Sequence, residues 1–66
     1  MNIKDLELEE IYQYKDTNGY DIICTCTKIN KSYSTFKVLS SGGRQWTTDM
    51  VYLTNFRVTN YLTKLS

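Results

Sequence analysis

Between Ile11 and Leu62 the chain alternates apolar and polar positions in short runs, broken at nearly regular intervals by turn-forming residues. Alternation with a period of two is the pattern of a half-buried strand. The first run, Ile11 to Lys15, follows an acidic lead-in over residues 1–10 that suits either a helical turn or an extended arm. Asp16-Thr17-Asn18-Gly19 closes it, and Asn18-Gly19 tolerates the positive φ that a tight hairpin demands. The second strand is expected over Tyr20 to Ile29, with Tyr20, Ile22, Cys24 and Cys26 on one face and Ile23, Thr25, Thr27 and Ile29 on the other. Neither face is cleanly polar, which suits one long strand curving through both halves of a small barrel.

Asn30-Lys31-Ser32 predicts the next turn. The third strand, Tyr33 to Leu39, sets Phe36 and Val38 against Tyr33, Thr35, Lys37 and Leu39. Ser40-Ser41-Gly42-Gly43 reads as a hairpin loop, and Arg44 to Thr47 or Thr48 as a short fourth strand carrying Trp46. Thr48 or Asp49 can cap a single helical or 3₁₀ turn, so Asp49 to Leu53 is expected to be a short connector that plugs one end of the barrel. The alternation of Phe56, Val58, Asn60 and Leu62 with Arg57, Thr59 and Tyr61 predicts a fifth strand, and Thr63 to Ser66 a frayed tail. The fold class expected is mainly β: a single domain over residues 1–66, with a partly open, five-stranded antiparallel barrel of SH3-like or Sm-like type over residues 11–62 and a short helical connector before its last strand.

Composition supports that class. The chain has 66 residues, no Pro and no Ala, but nine Thr, six Tyr, five Ile and three Val. The best helix former is missing, strand formers abound, and nearly every residue can donate to a ladder. A chain this short makes one domain with a marginal core, leaving no room for a deep cleft. The five Asn, six Lys, five Ile and six Tyr are what AT-rich codons supply, which points to a low-GC genome.

With this strand spacing over residues 11–62, Trp46, the Asp49 to Leu53 connector and Phe56-Arg57-Val58, the chain resembles small SH3-like accessory proteins of bacteriophages that infect low-GC bacteria. The resemblance is one of architecture. It implies a viral protein that acts in the host cytoplasm by binding, and so modulating or inhibiting, a host protein.

Catalysis is not expected. There is no His to serve as a base near neutral pH, and no nucleophile elbow. No cofactor or metal site is expected either. Cys24-x-Cys26 would be half a zinc site completed by a second copy, but structural zinc wants four ligands, and two small apolar fillers on a buried strand explain the pair better. Two cysteines this close point to a reduced, cytoplasmic protein rather than a disulfide framework. The acidic opening does not read as a secretory signal, and no apolar run is long enough to span a bilayer.

The formal net charge of +1 conceals an asymmetry. Six acids and two bases fall in residues 1–21, a balance of −4, and six bases and one acid in residues 22–66, a balance of +5. The basic body carries aromatic residues at positions open to a partner: Tyr33 with Lys37 on its parity, and Tyr61 with Arg57 on its parity. Together with Arg44 and Trp46 these are the candidate binding residues. They would serve a protein partner or, with Lys28 and Lys31, a single-stranded nucleic acid. The Ser40-Ser41-Gly42-Gly43-Arg44 segment could hold a small anion such as a nucleotide phosphate at a subunit junction, although as a hairpin it needs no ligand. An open sheet edge could also pair with a second copy. The expected function is a non-enzymatic module that binds a protein. Nucleic-acid binding and an oligomeric trap for an anionic ligand are the alternatives.

Overall fold

The computed structural model describes residues 1–65; Ser66, the end of the expected tail, lies outside the described residues. Five strands, β1 (Ile11–Lys15), β2 (Tyr20–Ile29), β3 (Tyr33–Gly43), β4 (Met50–Thr54) and β5 (Leu62–Lys64), form one antiparallel sheet in the order β4-β3-β2-β1-β5. The helix α1 (Asn55–Tyr61) joins β4 to β5, and a one-turn 3₁₀ helix (Ile3–Asp5) precedes β1. The sheet curls but stays open, because the outermost strands β4 and β5 are not paired with each other.

The inner face of the curl is the core. Tyr12 and Tyr14 of β1, Ile22, Cys24 and Cys26 of β2, Phe36 of β3, Val51 and Leu53 of β4 and Leu62 of β5 are all buried there. Val58 of α1 and Leu6 of the lead-in join them. Of the two forms expected for the lead-in, the helical turn is present at Ile3–Asp5, and the segment is also tied to the core. Leu6 is buried, and the Tyr12 hydroxyl accepts the Glu7 amide at 2.9 Å. At its end, Glu9 and Glu10 together oppose Cys26: the Glu9 amide donates to the Cys26 carbonyl at 2.8 Å, and the Cys26 amide to the Glu10 carbonyl at 3.4 Å. Glu9 takes a φ of 67°, so this is a β-bulge with a left-handed first residue.

The β1–β2 hairpin forms at the expected residues. Asp16 accepts the amides of Asn18 and Tyr20 through Oδ1, and Gly19 adopts a φ of 92°. The β2–β3 turn at residues 30–32 is also as expected. Differences begin at Ser40. Residues 40–43 are not a hairpin loop but the end of β3, paired with Tyr20 to Ile23 of β2 across a bulge at Leu39. A ten-residue β2 needs a partner along its whole length, and the glycines allow a close approach there. A Cβ on Gly43 (φ 58°) would lie 2.6 Å from the Gly19 carbonyl oxygen.

The expected fourth strand, Arg44 to Thr47 or Thr48, is instead the connection from β3 to β4, and the expected connector at Asp49 to Leu53 is mostly strand β4. Val51 and Leu53 point inward while Met50, Tyr52 and Thr54 point outward, so this stretch satisfies a period of two better than the Trp46 segment does. The expected fifth strand is mainly α1. Val58 and Leu62, both buried, stand four apart, a spacing that fits a strand face and a helix face equally. Thr54 decides for helix: its hydroxyl accepts the Arg57 amide as an N-cap, and its backbone is still extended. Thr63 and Lys64, expected to fray, form β5 against β1.

Candidate functional site: an outward tyrosine groove at the β3–β4 edge

Nine aromatic residues are distributed in three ways. Tyr12, Tyr14 and Phe36 are in the core; Tyr20, Trp46 and Tyr61 are half-buried; Tyr33, Tyr52 and Phe56 are exposed. The exposed pair Tyr33 and Tyr52 defines the site. The register sets Thr35 opposite Tyr52, Tyr33 opposite Thr54 and Lys37 opposite Met50, so all six share the outer face. Tyr52 is 67 % exposed and Tyr33 42 %. Their rings meet edge to face, with centroids 6.1 Å apart and planes at 89°. With Ser32 and Thr54 they line an open groove of about 520 Å³.

The walls are held by local chemistry. Asn55, the first residue of α1, donates its side-chain amide to the Lys31 carbonyl at 2.9 Å and its backbone N–H to the Ser32 carbonyl at 3.1 Å. These bonds clamp the β2–β3 turn onto the start of the helix. The Asn55 side-chain carbonyl has no partner, and it is the one buried side-chain polar atom so placed among the described residues.

Lys37 lies next to the groove on the same face. Lys28, opposite Thr35 on β2, is two strands from Tyr52, about 10 Å across the sheet. Lys31 is exposed in the turn. The acids are elsewhere. Asp21 occupies the far end of β2, where it accepts the Gln13 side-chain amide at 2.8 Å, and Asp49 adjoins Met50 on the parity of Val51. Glu7 and Glu10 of the lead-in turn to Lys64 at 3.8 and 4.0 Å, which leaves the outer lysines unneutralised by the acidic arm.

The six candidate residues fall into three pairs on three elements. Tyr33 and Lys37 share the outer face of β3. Arg44 and Trp46 meet at Tyr20: the Arg44 guanidinium lies 4.8 Å from the ring centroid of Tyr20, whose ring also packs edge to face on Trp46 at 5.1 Å. The Trp46 indole N–H donates to the Met50 carbonyl at 3.2 Å. Arg57 and Tyr61 lie one turn apart on α1, and Tyr61 packs on Tyr14 and Phe56. The segment Ser40 to Arg44, which could have held an anion as a loop, is not a loop. The Ser41 hydroxyl accepts the Trp46 amide, the Arg44 amide donates to Gly19, and the Arg44 side chain covers Tyr20. Neither Tyr52 nor Phe56 is among the candidate binding residues that the sequence offers. The alternation Met50-Val51-Tyr52-Leu53 was the available signal for Tyr52.

Three buried groups, Tyr14, Cys24 and Cys26, are held in their neutral forms. Tyr14 is pushed up to about 12 by burial first, then by its bond to Asp16 at 2.8 Å and that carboxylate's charge. Burial, and secondarily Cys26, pushes Cys24 up to about 12 as well, and burial raises Cys26. Burial alone would raise Asp16, but hydrogen bonds from Tyr14 and from the amides of Tyr20 and Asn18 outweigh it and hold the carboxyl below its ordinary value. Both thiols are free and fully buried, out of reach of a metal shared with a second copy. Among the described residues no group of three or more His, Cys, Asp or Glu is placed to hold a metal, and no helix is long and apolar enough to cross a membrane. No family model, curated protein or solved structure matches the chain.

Proposed function

We propose that the protein is a non-enzymatic binding module that engages a protein partner through the outer β3–β4 surface, with Tyr33 and Tyr52 as anchors. By the resemblance given above, the partner is a host protein and the chain a phage accessory protein. The observation that carries the reading is the pair of exposed tyrosines lining one groove. Exposed aromatic surface costs solubility unless it is used, and Tyr is a residue that concentrates binding energy in interfaces.

The sheet edge beside the groove is a poorer candidate for strand addition. The Val38 amide bonds the Asp49 carbonyl, so by alternation Met50, Tyr52 and Thr54 direct their backbone groups away from β3. The Met50 carbonyl is already taken by Trp46 and Thr48, and Thr54 caps α1. That leaves both backbone groups of Tyr52 but no carbonyl of Met50 or Thr54 at the free edge, a ladder interrupted on both sides.

Affinity capture from a low-GC bacterial lysate tests the reading. The wild type should retain a protein that Tyr52→Ala loses and Arg57→Ala keeps. Equal retention by all three, or by none, overturns it.

A further inference from the structure

We propose that the Tyr33–Tyr52 groove recognises an acidic linear peptide segment carrying an apolar anchor side chain. This rests on the reading of the outer β3–β4 face as a protein-binding surface and specifies the partner's chemistry.

Three observations carry it. The first is the shape of the aromatic pair. Rings crossed at 89° make a notch with one face and one edge, a seat for a single inserted side chain. They do not offer successive parallel platforms of the kind on which bases of a nucleic acid stack. The second is charge. Lys28, Lys31 and Lys37 lie around the groove, and none of them is in an ion pair among the described residues, where the ion pairs are those of Lys64 with Glu7 and Glu10 on the β1–β5 side. A partner segment bearing Asp or Glu completes these charges at a cost in desolvation that exposed lysines keep small.

The third is the fate of the arginines. Arg44 is held over Tyr20, and Arg57 stands on α1, where its charge acts on Tyr14 and Asp16. Neither extends the lysine cluster into the continuous basic track that a phosphate backbone requires. A groove of about 520 Å³ accommodates one anchor side chain and its neighbours rather than a folded domain.

Selection from a displayed library of random peptides about twelve residues long, against the intact protein, tests the proposal. The enriched peptides are then synthesised with a fluorophore, and a labelled oligo-dT of matched length serves as the nucleic-acid probe. The expected result is a set of peptides with net negative charge and one apolar residue. Their affinity should fall about tenfold or more in Tyr52→Ala, several-fold in Lys37→Glu, and not at all in Arg44→Ala. It should also weaken as salt rises, and backbone amide shifts should map to residues 31–37 and 50–55.

Tyr52 is so exposed that its truncation spares the fold, which a melting curve of each variant verifies. Peptides that need Tyr52 but show no preference for acids overturn the inferred chemistry and leave the protein-binding reading standing. Oligo-dT binding that exceeds any peptide and depends on Tyr52 overturns both. Failure to enrich any peptide overturns the inference alone, since lysate capture with Tyr52→Ala tests the broader reading separately.

Discussion

The two faces of one sheet make opposite use of the same residue types. On the inner face Tyr12, Tyr14 and Phe36 are sealed under the lead-in and α1, and the Tyr12 and Tyr14 hydroxyls are satisfied by Glu7 and Asp16. On the outer face, one residue further along β3 and β4, Tyr33, Lys37, Met50 and Tyr52 meet solvent. Alternation assigns each residue to a face, but what covers that face decides whether an aromatic ring is structure or surface. The Tyr20–Arg44–Trp46 cluster lies between the extremes. It has the composition of a binding site, yet its cation and rings are engaged with one another.

The largest effect should come from breaking the inner face. Phe36→Ala removes a fully buried ring that packs edge to face on Tyr12 at 6.1 Å. Such truncations cost about 3–5 kcal/mol, which is about the whole stability a core of this size supplies. Circular dichroism should find the variant largely unfolded at 25 °C, whereas Tyr52→Ala, which loses only an exposed edge-to-face contact and some strand propensity, should stay folded at a cost of about 1 kcal/mol. A Tyr52→Ala protein that unfolds as readily as Phe36→Ala would erase the distinction between the faces.

Gly43→Ala comes next. It forces a Cβ to within 2.6 Å of the Gly19 carbonyl at a left-handed φ, for an expected loss of about 1–3 kcal/mol. Gly42→Ala is the control: its Cβ would sit 3.6 Å from the Asp21 carbonyl, an ordinary contact. Denaturant midpoints that fall equally for the two would mean that the β2–β3 end is not packed as described.

These glycines also mark where the sequence was legible and where it was not. The β1–β2 and β2–β3 turns, both long strands as far as Leu39, and the inward run Ile22, Cys24, Cys26 could all be read, because turn chemistry and period agreed. Gly42 and Gly43 misled because the residue that permits a turn also permits two strands to approach closely. The Val58–Leu62 spacing misled because four residues is a multiple of two and close to one helical turn. The groove was half legible. Tyr33 and Lys37 follow from the parity of β3, but Tyr52 depends on which strand pairs beyond β3, a long-range fact no local pattern carries.

Raising the pH should act through the inner face. Cys24 and Tyr14 have folded-state values raised to about 12 from ordinary values of 9.0 and 10.0. Their stabilising contribution is complete below those ordinary values and is lost as pH climbs through the folded ones. Urea midpoints should therefore decline between about pH 9 and 12, and alkylation of the two thiols should track global unfolding. Asp16 acts at the other end: its folded value is lowered, so its contribution is present above the ordinary 3.8 and lost as acid protonates it. Thiols that react quickly at neutral pH in the folded protein would show that the inner face is not sealed.

The smallest effect should be a gain. Glu9 holds a φ of 67° so that the lead-in can bulge against Cys26 and lay Leu6 over the core. A non-glycine residue carries a penalty of about 1 kcal/mol or more in this conformation, and glycine is the usual first residue of such a bulge. Glu9→Gly removes the penalty but adds freedom to the unfolded chain, so the net stabilisation should be below about 1 kcal/mol, or a few degrees in Tm for a domain of this length. Glu9→Ala, which keeps a Cβ, should give no such gain. Because Glu7 and Glu10 remain to meet Lys64, the outer lysines should stay free and the affinity of an acidic peptide unchanged. A Tm that rises together with a loss of peptide binding would mean that the lead-in's path, and not only its stability, controls the charge of the opposite face.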